Sequence, residues 1–141
     1  MISIREFEEQ DRASLKQLYL DIRRSTFDWV DPSLFHLDDF ETDTEGEKIF
    51  VAIVEKQIAG FLSLWVQDSY IHHLYVNEKC KRTGIGRALI DKATGLLTPP
   101  IRLKVPKKNT RAVGFYQHLG WKQVSEGTSD DTGGYYLFQF G

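Results

Sequence analysis

Apolar and polar positions alternate over residues 2–7, with Ile2 and Ile4 set against Ser3 and Arg5, and predict a short first strand. From Glu8 to about Phe27 the period changes. Leu15, Leu18, Tyr19 and Ile22 recur at helical spacing behind Glu8, Glu9 and Asp11, where a helix dipole favours negative charge. Asp31-Pro32 reads as a new cap with proline in the first helical position, opening a short second helix. Residues 49–54, 58–66 and 70–76 are β-branched and aromatic runs separated by short polar breaks, and predict three successive antiparallel strands. The first two are apolar at nearly every position, so helices should cover both sheet faces.

A polar loop, 77–83, then leads into Gly84-Ile85-Gly86 and a helix whose Ile85, Ala88, Leu89, Ala93, Leu96 and Leu97 share one face; Pro99-Pro100 ends it. Residues 101–105 read as a strand, and 109–119 as a helix capped by Asn109, with Gly120 just past its end. Residues 121–125 and 135–140 are two last strands around a loop, 126–134. The order β-α-α-β-β-β-α-β-α-β-β describes an α+β domain on a mostly antiparallel sheet. No repeat or linker divides residues 1–141, so one domain is expected.

Composition narrows the function more than the fold. With 41% hydrophobic and 27% charged residues the chain is not disordered. A single cysteine excludes a disulfide framework and a cysteine-cluster zinc site. The net charge of −2 provides no basic field for nucleic acid. The longest apolar runs are strand-sized, so no membrane span is expected. The first residues carry no signal pattern, and a cytoplasmic protein is the expectation.

The stretch Leu74-Tyr75-Val76 to Gly84-Ile85-Gly86-Arg87 is a strand, a basic loop and a helix start. A helix N-terminus offers unpaired N–H groups, and glycines let a phosphate approach the backbone. Lys79, Lys81, Arg82 and Arg87 surround it, making a pyrophosphate seat. It is not a Walker A loop, because Arg87-Ala88 follows Gly86. Nor is it the dinucleotide fingerprint, because Leu89 occupies the third glycine position.

Leu74 and Val76, Lys81, and Gly84 and Gly86 in this order resemble the acetyl-coenzyme A loop of the GNAT superfamily of N-acetyltransferases. Lys81 stands where arginine or glutamine is usual, and Glu78 where proline is usual. A second family pattern, asparagine followed by a helix ending in Tyr-x-x-x-Gly-Phe, is met from Asn109 to Tyr116 and Gly120, with Trp121 for phenylalanine. The resemblance covers residues 2–140. It implies a mixed, mostly antiparallel seven-stranded sheet with helices on both faces, and acetyl-CoA as cosubstrate with no metal. Main-chain groups of Leu74, Tyr75 and Val76 would hold the pantetheine arm. Amides of Arg82, Thr83, Gly84, Ile85, Gly86 and Arg87, with Lys81 beside them, would wrap the pyrophosphate, and Asn109 would touch the arm. Tyr116 would protonate the departing sulfur.

For the base, His72 matches a histidine that some family members carry on this strand, with His73 in reserve should a bulge alter side-chain parity. As strand neighbours the two should face opposite ways and be unable to share a metal. Cys80 sits in the basic loop without a base partner and reads as a bystander. Glu41-x-Asp43-x-Glu45-Gly46 mimics the opening of a calcium loop, but its bidentate ligand would fall on Ala52, so calcium is rejected. The resemblance places the acceptor site between the first two helices and the last hairpin, with Phe27, Trp29, Asp31 and Tyr135 as its residues. Eight acidic residues between positions 28 and 47, with no lysine or arginine among them, point to a small cationic amine. A protein α-amine or lysine is the second acceptor class, and a non-catalytic acyl-CoA sensor the rival function. A monomer or a homodimer fits equally.

Overall fold

Strand formation dominates the chain: β1 (Ile2–Glu6), β2 (Lys48–Val54), β3 (Gln57–Trp65), β4 (Tyr70–Val76), β5 (Ile101–Pro106), β6 (Lys122–Ser129) and β7 (Gly133–Phe140). They form one seven-stranded sheet in the order β1-β2-β3-β4-β5-β7-β6. Every neighbouring pair is antiparallel except β4 and β5. The helices are α1 (Arg12–Thr26), α2 (Asp39–Asp43), α3 (Ile85–Leu96) and α4 (Thr110–His118). This computed structural model describes residues 1–80 and 83–141; Lys81 and Arg82, both assigned to the pyrophosphate seat, fall outside the described residues.

The central strands are apolar at successive positions because both faces are covered. Phe50, Ala52, Leu62 and Leu64 pack with Ile85, Leu89 and Ala93 of α3. Val51 and Phe61 turn the other way, onto Leu15 and Tyr19 of α1 and Phe40 of α2. A bidentate pair ties β1 to the start of α1. Arg5 donates from Nη1 and Nη2 to the Asp11 carboxylate at 2.8 and 2.9 Å, and the Glu8 N–H donates to the same group at 2.8 Å.

Two expectations change. Asp31 does cap a turn, accepting from the Ser33 N–H at 3.0 Å, but only Pro32–Leu34 follow it as a single 3-10 turn. The helix lies further on, at α2 inside the acidic run, where the fully buried Phe40 anchors it. The loop expected at 126–134 is mostly zipped into a hairpin, with Glu126 opposite Tyr136 and Ser129 opposite Gly133. Its outer strand, β6, is exposed along most of its length, so its polar sequence carries no alternation to betray it.

Candidate active site

β4 and β5 pair only at Tyr70 with Arg102 and Ile71 with Leu103, then run on to Val76 and Pro106 without meeting. β5 is held along its other edge by β7, from Ile101 opposite Phe140 to Pro106 opposite Tyr135, so it cannot close the gap. Among the described residues, the β4 main chain therefore has no strand partner on this side beyond Ile71. A cleft of about 350 Å³ opens there, lined by Leu74, Val76, Gly84, Gly86, Asn109 and Tyr116, with Arg87 and Arg111 also in its wall.

At one end of the cleft Gly84 caps α3 with φ +88°, a left-handed conformation that glycine adopts without strain. The helix's first internal bond runs from the Ala88 N–H to the Gly84 carbonyl at 3.0 Å, which leaves the N–H groups of Ile85, Gly86 and Arg87 without helical acceptors. A Cβ on Gly86 would come within 3.3 Å of Phe115 Cζ, so glycine is what lets this turn sit against α4. Free amides, a dipole's positive end and nearby arginines fit a pyrophosphate, and the unpaired β4 edge fits an amide-bearing arm. Asn109 serves α4 first, its Oδ1 accepting from the Ala112 N–H at 3.3 Å, while the residue also lines the cleft. Thr83 donates its hydroxyl to the Cys80 carbonyl. Arg87 pairs loosely with Asp91 at 3.5 Å, and Arg111, which the sequence did not single out, with Glu78 at 3.7 Å.

Tyr116 is 5% exposed and packs edge-on to Phe115 and Trp121. Burial first, and the neighbouring Tyr75 next, push its pKa up, so the hydroxyl keeps its proton at any physiological pH. It is both a packing residue and a wall of the cleft.

The histidines correct the parity expectation. Ser63 opposes His73 and Leu64 opposes Ile71, so His72 is an extra residue in β4, a β-bulge. Alternation breaks there: Ile71 joins the same cluster as Leu74, while the two imidazoles lie together with ring centroids 3.9 Å apart. Both approach Glu47, which precedes β2. His72 Nδ1 bonds Glu47 Oε2, and His73 Nδ1 stands 3.7 Å from Glu47 Oε1. The Glu47 side chain is 3% exposed and that of His72 41%. Burial opposes ionisation of Glu47, but the facing imidazoles outweigh it and bring its pKa down to about 2. An ionised Glu47 accepting from His72 Nδ1–H leaves Nε2 as an acceptor on an exposed ring, the arrangement of a general base with its orienting carboxylate. Glu47 was hidden in the acidic run; only the bulge brings its partner round to it.

His73 is buried, and burial lowers its pKa. Tyr19 donates its one hydroxyl proton to Asp43 at 2.6 Å, so His73 Nε2, 3.3 Å away, is the donor toward the Tyr19 oxygen. His73 Nδ1 then accepts from the Ser63 hydroxyl at 2.7 Å.

On the acceptor side, the Trp29 indole N–H donates to the Thr132 carbonyl at 3.0 Å, joining the α1–α2 connection to the β6–β7 turn. Phe27 is buried beneath, its ring 5.5 Å from Trp29. Tyr135 carries Lys104 over its ring at 4.8 Å. Burial, then Tyr135 and Glu47, raise the Tyr70 pKa to about 12, and the Tyr70 ring centroid lies 6.3 Å from that of His72. Asp31 is turned to its own cap. Three of the eight acidic residues are answered by α1: Asp38 and Glu41 meet Lys16 at 3.2 and 3.4 Å, and Asp39 meets Arg23 at 3.1 Å.

Comparison with known proteins agrees with this geometry. Residues 34–133 match the family model described as the acetyltransferase (GNAT) domain. The chain is 27% identical, over 94% of its length and 92% of the relative's, to the peptidyl-lysine N-acetyltransferase YjaB of Salmonella typhimurium. The solution structure of apo YjaB from Escherichia coli superposes with a TM-score of 0.83 at 22% identity, covering 99% of this chain and 97% of that one. The PaiA N-acetyltransferase of Thermoplasma acidophilum, solved with coenzyme A, gives 0.75 at 16% identity over 99% of both chains.

Proposed function

Because the chain belongs to the GNAT acetyltransferase family and is an acetyl-CoA-dependent N-acetyltransferase, we propose that it acetylates the ε-amine of peptidyl lysine, with His72 as general base and Tyr116 as general acid. The observation that carries this reading is the Glu47–His72 pair at the point where β4 and β5 part, on the strand whose free edge walls the cleft. Acetyl-CoA supplies an activated acetyl thioester, and acetyl transfer in this family needs no metal. A lysine ε-amine is mostly protonated near neutral pH and must be neutral to attack. His72 Nε2 takes that proton, and Glu47, acting only through Nδ1, holds the ring in the tautomer that can do so. Tyr116 delivers a proton to the sulfur as it leaves. The amides of Ile85, Gly86 and Arg87 fix the pyrophosphate, and the β4 main chain orients the arm.

The sequence favoured a small cationic amine because of its acidic run. Arg12, Lys16 and Arg23 of α1 lie against Asp38, Asp39 and Glu41, so that part of the field that was to collect polyamines is offset. The peptidyl-lysine specificity of the Salmonella relative supports the lysine alternative instead. A competition assay decides between them. With a lysine peptide, the same peptide bearing only a free α-amine, and spermidine presented together, mass spectrometry should find acetyl chiefly on the lysine side chain. Preferential acetylation of spermidine would restore the small-amine reading.

A further inference from the structure

Three donor groups outside the cofactor cleft converge with nothing between them. The ligand atoms of Glu47, His72 and His73 all lie within 4.8 Å of one another. Among the described residues Glu47 Oε1 is buried and has no hydrogen-bond partner, on a side chain only 3% exposed. What faces it, 3.7 Å away, is His73 Nδ1, which accepts from the Ser63 hydroxyl with its single lone pair and so offers the carboxylate no proton. A buried carboxylate oxygen facing a nitrogen that cannot donate is poorly satisfied; a cation between them would satisfy it, taking the Nδ1 lone pair in place of the Ser63 hydroxyl, which must release it.

We propose that Glu47, His72 and His73 form a zinc-binding site, and that zinc bound there switches the enzyme off. Two imidazole nitrogens and one carboxylate, with an open fourth position, make a donor set that zinc favours. A tetrahedral ion with bonds of about 2.0–2.1 Å holds its ligand atoms roughly 3.4 Å apart. The 3.7 Å separation of His73 Nδ1 and Glu47 Oε1 is already close to that. The His72 side chain is exposed, so solvent reaches this side of the cluster, and its Nδ1 must move off Glu47 Oε2 to admit the ion. The bulge creates the site, since regular alternation would send the two histidines to opposite faces. Binding stands on this geometry alone. Inhibition rests on the reading of His72 as the base: with its Nδ1 on zinc, Nε2 carries the ring's proton and can no longer accept one.

The test is calorimetric titration of zinc chloride into the apoprotein without acetyl-CoA, for the wild type, Glu47→Gln, His72→Gln and Cys80→Ser. The site predicts one zinc per chain with micromolar or tighter affinity. Affinity should be unchanged in Cys80→Ser and weaker by about tenfold or more in Glu47→Gln and His72→Gln. Should Glu47→Gln not fold by circular dichroism, His72→Gln carries the comparison alone. No saturable binding, or equal affinity in the wild type and His72→Gln, overturns the site. Zinc should also stop acetyl transfer by the wild type, reversed by chelator; bound zinc with undiminished turnover overturns the switch. The base assignment is read separately, from the turnover of His72→Gln in chelator, so the two can fail independently.

Discussion

At Tyr116 a single hydroxyl separates chemistry from packing. The ring packs against Trp121 and Phe138 whether or not the oxygen is present. Tyr116→Phe should therefore keep its stability and coenzyme A affinity while kcat falls by ~10²-fold or more, measured by thiol release. Wild-type kcat in that variant would leave Tyr116 a packing residue. His72→Gln should lower kcat by ~10²–10⁴-fold in the presence of chelator. Glu47→Gln should lower it less, because the imidazole remains and only its orientation loosens. These residues were unequally legible. Tyr116 stands in a motif, and His72 could be counted back from Leu74. Glu47 could not be found, because it is 25 positions from His72 and their contact depends on a bulge that no alternation pattern announces.

Between elements, the contacts that position the site can be broken one at a time. The Arg5–Asp11 pair ties β1 to α1, and its hydrogen bonds to Arg5 first, then to the Glu8 amide, outweigh burial and lower the Asp11 pKa. Since the folded value lies below the ordinary aspartate value of 3.8, this contribution is fully present above that pH and is lost as pH falls through the folded value. Asp11→Asn should thus cost about 2 kcal/mol at neutral pH, with the gap to wild type closing in strong acid, as urea unfolding at several pH values would show. A gap that persists in acid would mean the charge is not what holds the two elements. Gly86→Val should push α3 away from Phe115 and weaken coenzyme A binding by calorimetry more than it lowers the melting temperature. Equal affinity would remove α3 from the cofactor seat. Long apolar runs and glycine-marked helix starts made most elements readable. The second helix was misplaced because a five-residue helix is decided by one buried anchor, Phe40, not by a period. The exposed β6 was read short for the same want of pattern.

For the molecule as a whole, α1 answers three of the eight carboxylates in the acidic run, and that compensation bears on what the acceptor side attracts. Net charge gave no hint of it, because Arg12, Lys16 and Arg23 are spread along a helix and meet Asp38, Asp39 and Glu41 only in the fold. If those pairs set acceptor choice, spermidine should gain little over an uncharged amine at low salt, and added salt should change their ratio little. A large advantage for spermidine that salt erases would show the acidic field to be open after all. The central claim is that this chain moves acetyl from acetyl-CoA to a lysine amine. The most direct measurement is free thiol released from acetyl-CoA with and without a lysine peptide, with the acetylated peptide counted in the same reaction. Thiol release should depend on the peptide and equal the acetyl-lysine formed, one for one. Thiol release that ignores the peptide, or leaves every lysine unmodified, would contradict it.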